Sequence, residues 1–131
     1  MVGYSGAPLH RKLGITPESS VLLDGAPPGF DLAASGRAPH RRAGAGPYHV
    51  IVCFCPDAAR LRRRYPALHG LTTPEGALWI AWPKRSSGVA TDLNENLVRD
   101  HALGHGRVDV KVCAIDETWS GLKLVIRKAD R

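Results

Sequence analysis

Between Leu71 and Asp100, the sequence carries a run of side chains that are suited to binding an anion. The run consists of two cations followed by three hydroxyl residues: Lys84, Arg85, Ser86, Ser87 and Thr91. Ammonium, guanidinium and hydroxyl groups all donate hydrogen bonds to phosphate and carboxylate oxygens. A helix is predicted to begin near Thr91, where backbone amides add a partial positive charge. The run therefore predicts an anion site. The structural alternative is that Thr91 or Asp92 only caps the helix.

The segments around this run alternate between strand and helix patterns. Apolar runs predict three buried strands, at 21–23, 48–55 and 77–82. Helix patterns follow them: a weak one at 30–35, one that begins at Asp57, and one at 92–103. Alternating residues at 107–115 and 122–127 predict an antiparallel hairpin at the C-terminus, with Val108, Val110, Val112 and Ala114 on one face of its first strand. The order predicts a small three-layer α/β fold with a mostly parallel, Rossmann-like sheet and helices on both faces.

The carboxyl ends of parallel strands lie at one edge of a sheet, so the loops that follow these strands are predicted to lie together. This adds four residues to the predicted ligand-binding set: Asp24, Asp116, Glu117 and Trp119. Trp119 and Trp82 are predicted either to stack on a planar ligand or to pack at the sheet edge. Asp116 or Glu117 is also the predicted ion-pair partner of Lys84, if Lys84 binds no ligand.

The strongest local basic cluster lies in the second predicted helix and consists of Arg60, Arg62, Arg63 and Arg64. It predicts either a phosphate-binding face for nucleic acid or the solvated side of an amphipathic helix. Leu61, Tyr65 and Leu68 are spaced to form the apolar face of that helix. Pro66 is predicted to kink the helix or restart it.

Composition indicates an ordinary folded domain with a basic surface. The 131 residues are 44% hydrophobic, and the formal net charge of +6 favours anionic partners. Three cysteines in apolar strand contexts indicate buried thiols rather than a disulfide framework or a metal site. No apolar segment reaches membrane-spanning length, and no secretory leader is recognisable. We therefore expect a cytoplasmic protein without a membrane partner, metal or cofactor.

Two segments are predicted to be irregular. Residues 1–20 are rich in glycine and proline and predict an N-terminal arm with one short turn near Leu9–Leu13, so that a single domain spans 21–131. Residues 36–47 predict either a mobile loop or a poor edge strand near His40–Ala43.

Three long motifs resemble a bacterial family, domain of unknown function 3052. They are GYSGAPLHRKLGI at 3–15, ALWIAWPKRSSGVATDL at 77–93, and VDVKVCAIDETWSGLKLV at 108–125. Together the resemblance covers almost the whole chain. The family has no established activity, so the resemblance implies a fold and little about function.

More distantly, the layout is similar to the class I methyltransferase fold. LTTPEGALWIAW, at 71–82, resembles a loop and strand of that fold, and the closing hairpin resembles its last two strands. Methyltransferases of this fold hold S-adenosylmethionine with a glycine-rich turn after the first strand and an acid after the second. Here Pro27 and Pro28 remove two amide donors from the turn. Only 25 residues separate Asp24 from Val50, too few for the usual elements. A reduced methyltransferase-like fold with a broken cofactor site is therefore expected.

These observations lead to one principal functional hypothesis and two alternatives. The principal one is a non-catalytic binding or regulatory protein that holds an anionic small molecule or partner at the strand-end edge. The first alternative is RNA or DNA binding through the arginines at 60–64, together with Arg41 and Arg42. The second is a methyltransferase with an altered cofactor pocket that uses Asp24 and Asp116. A structural role with a protein partner is also open.

Overall fold

The computed structural model describes residues 7–32 and 36–131, and they form an α/β fold around one mixed sheet. The helices are α1 (Leu9–Lys12), α2 (Ala58–His69) and α3 (Glu95–Leu103). The strands are β1 (Val21–Asp24), β2 (Tyr48–Phe54), β3 (Thr72–Pro83), β4 (Val108–Ala114) and β5 (Trp119–Val125). Short 3-10 turns lie at Arg85–Ser87 and Lys128–Asp130. No helix among these residues is long and apolar enough to cross a bilayer.

The five strands lie in the order β1-β2-β3-β5-β4. β1, β2 and β3 are parallel to one another, whereas β5 is antiparallel to both of its neighbours. β4 therefore runs in the same direction as the first three strands. As a result, β1, β2, β3 and β4 all end at one edge, and the loops predicted to share an edge do leave the sheet there.

Apolar residues on the two faces of the sheet form two separate cores. The first face packs against α2 and α3, through residues such as Leu61, Leu68 and Val98. The second face is covered by the four-residue α1, by the chain at Leu13 and Ile15, and by Leu32. The N-terminal arm thus supplies part of the core, and the indole N–H of Trp79 donates to the carbonyl of Leu13 at 3.2 Å.

The weak helix predicted at 30–35 is wrong in its described part. Phe30 to Leu32 are not helical, and residues 33–35 lie outside the described residues. Leu32 instead packs as a single apolar side chain, and Phe30 contacts Phe54 edge-on. The two long helices therefore both lie on the first face, since the described residues between β1 and β2 are rich in glycine and proline and form no helix on the second.

The segment 36–47 contributes one residue to the sheet edge. His40 forms an isolated parallel bridge to Leu22 in β1, with backbone bonds to Val21 and Leu23. Its imidazole Nδ1 lies 2.7 Å from the hydroxyl of Tyr48, which also accepts from the amide of Gly44. In place of the predicted edge strand, the segment forms a single bridge, and the buried Tyr48 fixes the side chain of the bridging His40.

β4 does not follow the simple alternation of its sequence. A bulge between Asp109 and Lys111 puts Asp109 opposite Leu124 and Lys111 opposite Lys123, on opposite faces of the sheet. Val110, which was predicted to share a face with Val112, lies in the bulge and is 55% exposed. The alternation misleads because one extra residue in a strand shifts every side chain before it to the other face.

α2 runs without a break from Ala58 to His69 through Pro66, so the predicted restart of the helix does not occur. Pro66 is exposed, so the backbone hydrogen bond that it cannot donate is missing only from the solvent-facing side of the helix. On the opposite side, Tyr65 and Leu68 are buried against the sheet and hold the last turns in place. Asp57 is confirmed as the N-cap, since its carboxylate accepts the amide of Arg60 at 2.9 Å.

The cap of α3 is not the predicted one. The helix begins at Glu95, and Asn94 caps it by accepting the amide of Leu97 at 2.9 Å. Asp92 instead accepts the amide of Ala58 at 2.8 Å, in the first turn of α2. Thr91 donates its hydroxyl hydrogen to the carbonyl of Pro56 at 2.7 Å. Both residues therefore tie the loop before α3 to the start of α2.

This arrangement predicts that two side chains close in sequence stabilise two different helices. Asn94→Ala should lower the free energy of unfolding by about 1 kcal/mol through the lost cap of α3. Asp92→Ala should cost a similar amount through α2. Urea unfolding measures both values, and the exposed Arg63→Ala serves as control with a change below about 0.5 kcal/mol. Additive losses in the double variant are expected, and a neutral Asn94→Ala would contradict the assigned cap.

Candidate anion-binding site at the end of strand β3

A surface cavity of about 660 Å³ opens beyond the end of β3. Its wall is formed by the end of β3, the following loop, the start of α3 and one residue of β5. The lining residues are Trp82, Pro83, Lys84, Arg85, Gly88, Val89, Ala90, Thr91, Leu93, Asn94, Glu95 and Ser120. Of the nine residues predicted to bind a ligand, three therefore line the cavity: Lys84, Arg85 and Thr91.

Lys84 and Arg85 are cations whose backbone is fixed while their charged ends make no ion pair with any residue that the structure describes. The amide of Lys84 donates to the carbonyl of Thr118 at 2.9 Å and so extends the pairing of β3 with β5. The predicted pairing of Lys84 with Asp116 or Glu117 is not formed. The two charges are thus held at the cavity and remain available to a ligand.

Ser86 and Ser87 do not line the cavity. The hydroxyl of Ser87 donates to the carbonyl of Lys84 at 2.7 Å and accepts the amide of Val89 at 3.1 Å. These bonds close the 3-10 turn, and Gly88 follows at a φ of 76°, a left-handed conformation that glycine adopts without strain. Ser87 therefore shapes the loop, and Ser86 is an exposed residue of the same turn.

The loop between β4 and β5 contributes structure rather than ligand contacts. The carboxylate of Asp116 accepts the amides of Thr118 and Trp119, each at 2.8 Å, and so stabilises the turn. Glu117 is exposed and does not line the cavity. Trp119 packs edge-on against Phe54, with ring centroids 5.2 Å apart, on the second face of the sheet.

The two predicted stacking residues lie on opposite faces of the sheet. Trp82 belongs to the first core and is 5% exposed, although it reaches the wall of the cavity. Trp119 belongs to the second core. The two indoles therefore do not form a pair around one ligand.

Asp24, at the end of β1, is engaged by three side chains. Its carboxylate accepts from Arg60 at 2.8 Å and from two nitrogens of Arg64 at 3.1 Å, and the thiol of Cys53 lies 3.4 Å away. Asp24 is 7% exposed. Burial of the carboxylate is tolerated because two guanidinium groups neutralise it and donate to both of its oxygens.

The guanidinium of Arg60 also fills the crevice between the ends of β1 and β2. Its Nε donates to the carbonyl of Phe54 at 2.9 Å. It packs so closely on Gly25 that a Cβ there would come within 2.4 Å of an Arg60 nitrogen. Ligands of open α/β sheets bind at such crevices. Here the space beside β1 is closed by the protein's own side chain.

The predicted basic cluster is divided between two environments. Arg60 and Arg64 face the sheet and bind Asp24. Arg62 and Arg63 are exposed and make no ion pair with a described residue. The aspartate also stabilises the charged form of Arg64 and raises its pKa, chiefly through their hydrogen bond. Only half of the cluster is therefore free to meet a nucleic acid.

The cysteines are buried thiols within the described structure. The sulfurs of Cys53 and Cys55 lie 3.5 Å apart, and their hydrogen bond, together with burial, raises the pKa of the Cys53 thiol. Burial likewise raises the pKa of Cys113. Thiols with raised pKa values are poor nucleophiles and poor metal ligands. Among residues 7–32 and 36–131, no group of three or more metal-ligating side chains is suited to a metal ion.

Several cavity residues were not predicted from the sequence. Val89 is 49% exposed, and Asn94 and Ser120 add polar groups. Asn94 was missed because Asp92 fits the cap pattern equally well. Ser120 was missed because it reaches the cavity only through the pairing of β5 with β3, where it lies opposite Trp82.

Comparison with known protein families and with curated proteins finds no match to this chain.

Removal of Asp24 is predicted to destabilise the protein strongly. Asp24→Ala leaves two cations facing each other without a counter-charge, and such losses cost about 3 to 5 kcal/mol for buried pairs. The side chains of Arg60 and Arg64 keep 22% and 25% exposure, so we expect a loss of roughly 3 kcal/mol in urea unfolding. Glu117→Ala, which removes an exposed acid at the same sheet edge, is the control. A loss no larger than that of the control would show that the cluster does not hold α2 to β1.

Proposed function

We propose that this protein is a non-catalytic binding or regulatory domain that holds an anionic small molecule or partner in the cavity at the end of β3. The observation that carries this proposal is the pair of cations, Lys84 and Arg85, at a 660 Å³ cavity with no ion-pair partner among the described residues. A charge without a protein partner at a concave surface is a natural partner for an opposite charge on a ligand.

The size and lining of the cavity support a small molecule. Binding sites for such ligands occupy about 300 to 1,000 Å³ and combine apolar walls with a few polar groups. Here the apolar part of the wall includes Val89 and Leu93, and Asn94 offers its amide nitrogen, since its oxygen caps α3. The net charge of +6 adds a long-range attraction for anions.

The composition of the wall supports binding without catalysis. Among the described lining residues, the single titratable acid is Glu95, and it forms an ion pair with Arg99. General acid–base catalysis requires a group that can exchange a proton with the substrate. A carboxylate that already accepts from a guanidinium is poorly placed for that role.

For the fold, we propose a reduced Rossmann-like sheet of the methyltransferase-like type that ends in an antiparallel hairpin, in a cytoplasmic bacterial protein of the domain of unknown function 3052 family. The insertion of β5 between β3 and β4, antiparallel to both, supports this proposal. The occupation of the crevice beside β1 by Arg60 supports the loss of the usual cofactor site.

The two alternatives make different demands on the same structure. Nucleic-acid binding would use the exposed Arg62 and Arg63, together with Arg41 and Arg42, and would depend steeply on salt. Methyl transfer would require S-adenosylmethionine to displace the Asp24–Arg60 contact. We favour the anion cavity because its cations are unengaged, whereas Asp24 and half of the arginine cluster are already paired.

The proposal predicts that anions stabilise the protein through Lys84 and Arg85. A thermal-shift series with inorganic phosphate, nucleotides, short dicarboxylates and short RNA measures this effect, and S-adenosylmethionine, whose net charge is positive, tests the methyltransferase alternative. Ligand at a hundred times its dissociation constant adds about 2.7 kcal/mol, which raises the melting temperature by roughly several degrees. In the Lys84→Ala/Arg85→Ala double variant, the shift should disappear.

The matched control is Arg62→Ala/Arg63→Ala, which removes the same charge from an exposed helix face. It should keep the full ligand-induced shift. An equal loss in both variants would indicate a non-specific charge effect, and the absence of any shift in the wild-type protein would contradict the proposed function. A shift with short RNA alone, lost in the control variant, would favour the nucleic-acid alternative.

A further inference from the structure

A buried arginine without a carboxylate partner joins four segments of the fold. Arg107, which follows α3, is 1% exposed. Its guanidinium donates to Thr72 Oγ1 at 2.7 Å and to the carbonyls of His69, Gly76 and Leu124 at 3.0 to 3.5 Å. It thereby connects the end of α2, the start of β3 and the end of β5.

The remaining bond of Arg107 is made to a histidine ring. Nε of Arg107 donates to Nδ1 of His69 at 2.9 Å. Because the guanidinium is always a donor, Nδ1 must carry a lone pair, and the imidazole must be neutral with its proton on Nε2. Burial, Arg107 and His105 all lower the pKa of His69.

Two more histidines, His101 in α3 and His105 just after it, lie close to Tyr65 and His69. The rings of His101 and His105 stack with centroids 4.1 Å apart, and the ring of Tyr65 contacts all three histidines at 5.0 to 5.9 Å. Nδ1 of His105 donates to the carbonyl of His101 at 2.6 Å. Nε2 of His101 is buried without a partner among the described groups. Burial, His105 and Arg62 lower the pKa of His101.

The charges that face these rings are almost all positive. α2 contributes Arg62, and the segment after α3 contributes Arg107. Tyr65 stays neutral, since burial raises its pKa to about 12. Asp100 shares a groove with Arg62 and His101, but it is exposed and forms no ion pair with a described residue. A proton added to this cluster therefore has no buried counter-charge.

We propose that His69 and Arg107, with the stacked pair His101 and His105, form an acid-sensitive latch that holds the C-terminal ends of α2 and α3 to the sheet. A proton on Nδ1 of His69 removes the acceptor of the Arg107 bond and places a second cation 2.9 Å from the guanidinium. The latch then opens by release of the Arg107 side chain and of the chain at 104–107. It lies at the opposite ends of α2 and α3 from the anion cavity, so it does not depend on the proposed function.

The direction of the pH effect follows from proton linkage. The folded pKa of His69 lies below its unfolded value of about 6.5, so the unfolded state takes up the proton first as the pH falls. The stability contributed by the latch is complete above pH of about 6.5 and is lost below it. Between the folded and unfolded pKa values of His69, the open state binds one more proton than the closed state. In that range the equilibrium constant for opening rises about tenfold for each unit by which the pH falls.

The test uses His69→Asn, because the asparagine Oδ1 takes the place of Nδ1 as an acceptor but does not titrate in this range. Urea unfolding of the wild-type protein between pH 8 and 5 should show the rise in the unfolding constant below pH 6.5. His69→Asn should remove the part of that rise that comes from His69. His49→Asn is the matched control, since Nδ1 of the exposed His49 also accepts a hydrogen bond, from the amide of Ser20 at 2.8 Å. It should retain the wild-type pH dependence, because water can replace the lost bond of the exposed His49 ring, whereas the ring of His69 faces the guanidinium of Arg107.

A measurement on the wild-type protein keeps the proposal testable if His69→Asn fails to fold. NMR titration of the imidazoles should give His69 a lower midpoint than an unstructured peptide, and protection of the Arg107 amide, bonded to Ala102, should fall over the same pH range. A normal midpoint for His69, unchanged amide protection, or a His69→Asn variant with wild-type pH dependence would each overturn the latch.

Discussion

The carboxylate of Asp24 is the charge that organises the edge of the sheet at which β1, β2, β3 and β4 end. It lies at the end of the outermost parallel strand and forms ion pairs with both Arg60 and Arg64, one turn apart on α2. Without it, α2 would carry two guanidinium groups against the ends of β1 and β2. With it, the helix is fixed to the sheet by charge as well as by Leu61 and Leu68. The same contact closes the crevice beside β1, so any open site is displaced along the edge to β3.

The sequence predicts the parts of the fold that rest on local patterns. The apolar runs of β2 and β3 are continuous because both faces of these strands are covered, and that pattern identifies a central strand. Asp57 was recognised as a cap because a cap and its helix are adjacent in the chain. The cationic pair at 84–85 was placed correctly beyond a strand end because the end of β3 is marked by Trp82-Pro83.

Other features depend on contacts between distant residues, and the sequence does not encode them locally. Asp92 fits a cap of α3 in sequence but stabilises α2, 34 residues earlier, because the loop that carries it folds back. From the sequence, Arg60 and Arg64 are expected to be surface charges. In the structure, β1 places Asp24 beside them. Arg107 has no sequence signal at all, since its partners come from α2, β3 and β5. Burial of an arginine is only evident once those elements meet.

The bulge in β4 has a consequence for self-association. β4 is the outermost strand on its side, and it exposes Val110 and Val112 to solvent. A regular strand of this kind offers evenly spaced amide and carbonyl groups on which another chain can add a strand and begin aggregation. The extra residue at Val110 interrupts that spacing, and the ammonium of the neighbouring Lys111 donates to the carbonyl of Lys12 at 3.0 Å. An approaching strand therefore meets regular backbone only on either side of the bulge, at 108–109 and 111–114, which disfavours a continuous intermolecular sheet.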